Sequence, residues 1–204
     1  MKSLAALIIV FALVTVGAFA AALSEAEMKQ KKADYAKQVR ARQQPMVQEL
    51  EGMLGNNAKV TLFSIDPQDN GWRADPDGTW CGRPLFRGHI VRASSPIIDH
   101  GEQRAIVLAL TDGIRESDGS VASCFEPYFG LTLQKGDKKI DIVVCFMCLN
   151  AKVYGAYAES YFILSRSHSD VFIESAKRHK LSLPYEDLKS HANGVYIDPF
   201  SIRP

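Results

Sequence analysis

Two kinds of hydrophobic pattern divide the chain. From Leu4 to Leu23 apolar and small residues run almost unbroken behind Lys2, whereas from Ser24 to Gln44 the sequence is polar, with Met28, Tyr35 and Val39 as its only sizeable apolar side chains. A positive residue, an apolar stretch and the small residues around Ala18-Phe19-Ala20 form the layout of a secretory signal peptide, so residues 1–22 are set aside from fold reasoning. The alternative for the same run is an uncleaved membrane anchor. Residues 23–57 then form a polar helical lead-in. Ser24 and Glu27 read as a capping box at its start, and Pro45 opens a second helical piece that stops near Gly55-Asn56-Asn57. With so few apolar positions, the first piece is expected on the surface or protruding from it.

From residue 58 the pattern tightens into a single domain running to residue 204. Val60, Leu62 and Ser64 alternate with Thr61, Phe63 and Ile65, which predicts a strand with one face more buried than the other. The following segment, dense in Gly, Pro, Asp and Asn, predicts a loop. In it Asp66, Gln68, Asn70, Gly71 and Asp77 fall at calcium-loop spacings, but the strand before them and Pro67 favour turn chemistry. LFRGHIVRASSPI predicts one strand. The next segment predicts a helix with Ile106, Leu110 and Ile114 inward and Gly119 beyond its end. YFGLTLQ, KKIDIVVCF and LNAKVYGAY predict an antiparallel meander, its first two strands joined by the turn Lys135-Gly136-Asp137-Lys138. SHSDVFIESAKRHKL predicts a short helix with Val171, Phe172 and Ser175 inward, and the tail from Pro184 to Pro204 reads as loose, with one more short helix. The fold class is therefore α+β: a meander sheet over residues 127–163, covered on one side by helices near 100–117 and 169–180.

Composition narrows the function classes. A formal charge of +1, which includes Lys2, leaves no basic field for nucleic acid. The roughly 180 residues behind the leader suit one core, with no membrane span once the leader is cleaved. Export changes how the cysteines are read, because disulfides persist in oxidising compartments. Cys81, Cys124, Cys145 and Cys148 allow three complete pairings. If Gly136 and Asp137 form a two-residue loop, partners across the hairpin sum to 273, so Cys124 faces Leu149, Cys148 faces Phe125 and Cys145 faces Tyr128. Cys124 and Cys148 then lie close, and one bulge or a slightly different loop brings them within disulfide range; this is the leading pairing, which would close a loop of about 25 residues and contribute about 3 kcal/mol. The competing reading takes Cys145-Phe146-Met147-Cys148 as a C-x-x-C unit, with Cys124 and a fourth ligand, Cys81 or alternatively His89 or His100, completing a zinc or copper site, or with the dithiol in redox use. The strand leading into Cys145 argues against thioredoxin-like chemistry, which needs that cysteine at a helix N-terminus.

At these residues the chain resembles a family of small uncharacterised bacterial proteins, many of them exported, whose shared core reads C-F-x-P-R-H-G, a hairpin, and I-C-F-x-C with a tyrosine several residues on. The matching positions are Cys124-Phe125-Glu126-Pro127, Gly130, Val144-Cys145-Phe146-Met147-Cys148 and Tyr154. The segment Gly88 to Val91 and the helix near residue 105 are also similar, so the resemblance spans roughly residues 58–157. Where the family has Arg-His this chain has Tyr128-Phe129, which removes a natural ligand or base from beside the cysteines. The resemblance implies no reaction.

Other chemistry is sparse. His100, His168 and His179 are scattered without the nucleophile and oxyanion context that a hydrolase needs, and Ser94-Ser95, Ser123 and Ser167 show no G-x-S-x-G elbow. Tyr128, Tyr154, Tyr157 and Tyr161 put rings along the meander, the expected ligand-binding surface. The reading is an exported protein, periplasmic or secreted, that acts as a non-enzymatic binding or structural module without a cofactor and meets a partner protein or a small ligand. The alternative is a metal-binding or thiol-redox protein built on Cys124, Cys145 and Cys148.

Overall fold

The computed structural model describes residues 2–55, 57–69, 74–123, 125–155 and 160–183, with side chains from Glu25 onward except those of Asp69 and Ser160. Three helices and eight strands follow in chain order: α1 (Lys2–Gly52), β1 (Ala58–Asp69), β2 (Thr79–Trp80), β3 (Arg83–Phe86), β4 (His89–Ile97), α2 (His100–Arg115), β5 (Phe129–Lys135), β6 (Lys138–Cys145), β7 (Asn150–Tyr154), β8 (Ser160–Ile163) and α3 (Ser169–Arg178). The strands form one sheet in the order β2-β3-β4-β1-β5-β6-β7-β8, and every pairing is antiparallel. The expected α+β class, with its meander and covering helices, is what the chain adopts.

The helical layer lies on one face of the sheet. Along α1 the buried positions are Ala36, Val39, Gln43, Met46, Val47 and Leu50, a stripe at helical spacing that Met53 extends just past the helix end. Along α2 they include Ile106, Val107, Leu110 and Ile114, and α3 contributes Phe172 and Ala176. Facing them are Val60, Leu62, Phe129, Leu131, Leu133, Ile140, Ile142, Val144, Ala151 and Val153, which alternate along β1, β5, β6 and β7 with residues of the other face. Each fully buried aliphatic side chain here contributes roughly 1.5–3 kcal/mol relative to exposure. The Asp99 carboxylate accepts from the Glu102 N–H at 2.7 Å and caps α2, while Lys135 donates to the Gly52 and Leu54 carbonyls at 2.8 and 2.9 Å and closes the C-terminal end of α1.

The lead-in differs from its expected form. One helix runs through Ser24 and through Pro45, so neither residue marks a start. Pro45 is tolerated because it and Ala41, whose carbonyl loses the helical N–H, both lie on the exposed side, where water replaces the missing partner. Residues 25–35 are exposed, and this polar stretch touches the domain through Lys32, 3.1 Å from Asp118 Oδ2, and through the Tyr35 ring beside Gly119. Among the described residues no helix is long and apolar enough to cross a membrane.

LFRGHIVRASSPI forms a hairpin instead of one strand. Arg87 and Gly88 sit at φ 50° and 89°, the left-handed geometry of a tight two-residue turn, so Phe86 pairs with His89 and Leu85 with Ile90. Positive φ comes easily to Gly88 but not to Arg87, which is why the turn does not announce itself in the sequence. The tail from residue 184 lies outside the described residues.

Candidate functional site

The β5–β6 hairpin has the expected register: Lys135 pairs with Lys138 and Phe129 with Val144. The difference begins one residue later. β6 ends at Cys145, the chain turns through Phe146, Met147, Cys148 and Leu149, and β7 returns with Asn150 opposite Cys145. Leu149 sits at φ 57° to complete the reversal. The turn folds Cys148 back over Cys145, the two Cα atoms lie 5.2 Å apart, and the sulfurs are bonded. The disulfide is therefore Cys145–Cys148, in place of the expected Cys124–Cys148; that expectation required β6 to continue straight to residue 148, and the strand stops three residues short. Cys124 itself lies outside the described residues.

This turn is anchored on all sides. The Phe146 ring packs into the main core at 6.2 Å from Phe129 and 5.1 Å from Phe172, measured between centroids. Arg166 donates to the Phe146 and Met147 carbonyls at 3.2 and 2.9 Å, and Asn150 and the Ala122 N–H donate to the Cys148 carbonyl at 3.1 and 3.0 Å. The Glu126 N–H donates to Cys148 Sγ at 3.2 Å, and its carbonyl oxygen rests 3.2 Å from Cys145 Sγ. Both half-cystines are 0% exposed. Cys81 is a free, exposed thiol at the β2–β3 turn, and among the described residues no group of three metal-ligating side chains gathers. The expected metal set of Cys81, Cys124, Cys145 and Cys148 thus loses Cys145 and Cys148 to the disulfide, while Cys81 stands on the hairpin at the far edge of the sheet.

The side of the sheet away from the helices carries a different chemistry. Cross-strand registers align Thr132, Asp141 and Tyr154 in one row and Phe63, Gly130, Val143, Lys152 and Tyr161 in the next. The β3–β4 hairpin curls over these rows. Phe86 stacks on Phe63 at 4.4 Å, occupying the space above Gly130, where an added Cβ would stand 2.6 Å from its ring. Arg87 reaches Asp141 Oδ2 at 2.7 Å and lies 4.8 Å above the Tyr154 ring. The Asp141 side chain is only 4% exposed, and its charge is met by Arg87, by Lys139 at 3.3 Å and by the Thr132 hydroxyl at 2.6 Å. Farther along, Lys152 Nζ sits 4.7 Å over the Phe125 ring, which also meets Tyr161 at 6.0 Å and His89 at 6.3 Å. No carboxylate pairs with Lys152 among the described residues, and Tyr161 is 50% exposed.

Of the four expected ligand-surface tyrosines, Tyr154 and Tyr161 share this face. Tyr128 does not: it is 8% exposed and belongs to the main core, because the chain ahead of β5 turns its ring toward the helices. Tyr157 lies outside the described residues. Sequence reasoning missed Arg87, Asp141, Lys152 and Arg166, which are ordinary charged residues until the registers and the curled hairpin place them. Comparisons with protein-family models, with curated proteins and with solved structures return no match.

Proposed function

We propose that this is an exported binding module in which the Cys145–Cys148 disulfide is a staple and the sheet face bearing Tyr154 and Tyr161 takes the ligand, a small molecule or a partner segment that is negatively charged. The observation that carries the reading is Lys152, a cation without a carboxylate partner among the described residues, framed by the Phe125 and Tyr161 rings. Aromatic walls around an available ammonium suit a ligand that offers a carboxylate or phosphate beside an apolar group. Burial supports the staple. Exchange requires a thiolate to reach one of the sulfurs, and both are enclosed, with Arg166 fixing the carbonyls between them. The apolar run behind Lys2 and the disulfide together support an oxidising compartment, periplasmic or extracellular.

The test is a titration of the isotope-labelled protein with a panel of aromatic carboxylates, followed by amide shifts in two-dimensional spectra. Saturable shifts centred on Phe125, Lys152, Tyr154 and Tyr161, absent in Lys152→Ala, support the proposal. Saturable shifts confined to other surfaces contradict it.

A further inference from the structure

On the helix side of the molecule, three residues distant in sequence meet in an arrangement that the binding proposal does not use. Ser95 on β4 lies with its hydroxyl oxygen 3.0 Å from His179 Nδ1, and His179 Nε2 lies 3.1 Å from Glu102 Oε2. The other carboxylate oxygen, Oε1, is held by the Ser175 hydroxyl and by Arg178 at 3.0 Å, so the acid cannot swing away from the ring. The Glu102 side chain is 8% exposed and that of His179 is 21% exposed.

This order fixes the proton positions. A carboxylate accepting at Nε2 places the ring hydrogen there, which leaves the Nδ1 lone pair directed at the Ser95 hydroxyl. Ser95 Oγ also lies 3.3 Å from the Pro96 carbonyl oxygen, a longer contact than the one to the ring. From Val91 to Ile97, β4 pairs with β1 alone among the described residues, so Ser95 stands on the sheet's edge between the exposed Ser94 and Pro96. Nucleophile, base and orienting acid, each within hydrogen-bond reach of the next, define the triad logic on any fold.

We propose that Ser95, His179 and Glu102 form a hydrolytic triad for small carboxylic esters. Ser95 Oγ attacks the acyl carbon as His179 Nδ1 takes its proton. The tetrahedral adduct then expels the alcohol, which leaves with that proton. Water, deprotonated by the same nitrogen, attacks the acyl-serine, and the proton returns to Ser95 Oγ as the carboxylic acid departs. Glu102 touches no reacting atom; it is a positioning residue that holds the ring and stabilises its charged form. Small esters fit because the nucleophile sits on an open strand edge.

The test treats the folded, mature protein with a fluorophosphonate probe and maps the adduct by peptide mass, alongside turnover of p-nitrophenyl acetate. The expected result is one adduct, on Ser95, lost in Ser95→Ala together with the turnover. Labelling should fall by at least about 100-fold in His179→Gln, which keeps a hydrogen-bonding side chain but cannot carry the proton. Glu102→Gln should slow labelling while leaving the adduct on Ser95. Should His179→Gln fail to fold, Ser95→Ala decides, since among the described residues its truncated hydroxyl meets the ring and one carbonyl. Absence of an adduct on Ser95 in the folded protein, or equal labelling in a folded His179→Gln, overturns the triad and leaves the three residues as a brace between β4, α2 and α3.

Discussion

The two faces of the sheet share their strands and little else. On β7, Ala151 and Val153 point into the helix-covered core, whereas Lys152 and Tyr154 point to the other side. The helix side is closed by aliphatic and aromatic side chains from three helices and most of the strands. The other side has a small core of Ile65, Phe86 and Val143, finished by a single curled hairpin and a set of charges set against rings. Stability that scales with buried apolar area therefore belongs to the first face. The other face, half-open, sets a buried carboxylate and cations against rings, and it is there that the proposed ligand would bind at modest cost to the fold, with the disulfide turn at its border.

The sharpest way to separate the faces is to cut into the first. Leu131→Ala, at a 0% exposed position beneath the helices, should cost about 3–4 kcal/mol in denaturant unfolding. A cost below about 1 kcal/mol would mean the helical layer is not the main core. The staple comes next. Replacing Cys145 and Cys148 together by Ser should cost about 2 kcal/mol, the loop-entropy value for so short a loop, because the turn keeps Phe146 and Arg166 as anchors.

A smaller effect follows from acid. Burial would raise the Glu102 carboxyl, but hydrogen bonds from Ser175 and His179 and the charges of His179 and Arg178 outweigh it and hold the group below its ordinary range. Its contribution is thus fully present above the unfolded value and is lost as pH falls through the lower folded value, so stability should decline across that acidic window. Glu102→Gln should flatten this part of the pH–stability curve; an unchanged slope would show that the brace between α2 and α3 is not held by charge. Smallest of all, Lys152→Ala should change stability by less than about 0.5 kcal/mol, as expected for a partly buried cation over a ring, while removing the proposed anionic ligand binding. If it unfolds the domain instead, the second face is structural and the comparison fails.

Much of the first face was legible because its signals are periodic. Ile106, Leu110 and Ile114 mark α2, and the Lys135–Lys138 turn sets the register of β5 against β6 residue by residue. The second face was not, because it depends on where strands stop and how an edge curls. Cys148 lies opposite Phe125 only if β6 continues, and the turn at Phe146 is set by burial of that ring against Phe129 and Phe172, from segments remote in sequence. Arg87 takes a left-handed turn position that local preference disfavours, and the hairpin it makes is what brings it to Asp141. His179 read as an isolated histidine for the same reason: its partners Ser95 and Glu102 stand 84 and 77 residues away.

The central claim is that Cys145 and Cys148 form a buried staple, so the decisive measurement is non-reduced peptide mapping of the protein produced by export into an oxidising compartment, with free thiols alkylated beforehand. The expected result is Cys145 joined to Cys148 in one peptide, resistant to alkylation until the protein is unfolded and reduced, with Cys81 alkylated. Recovery of a Cys124–Cys148 link, or of Cys145 and Cys148 as thiols that alkylate in the native protein, would contradict it.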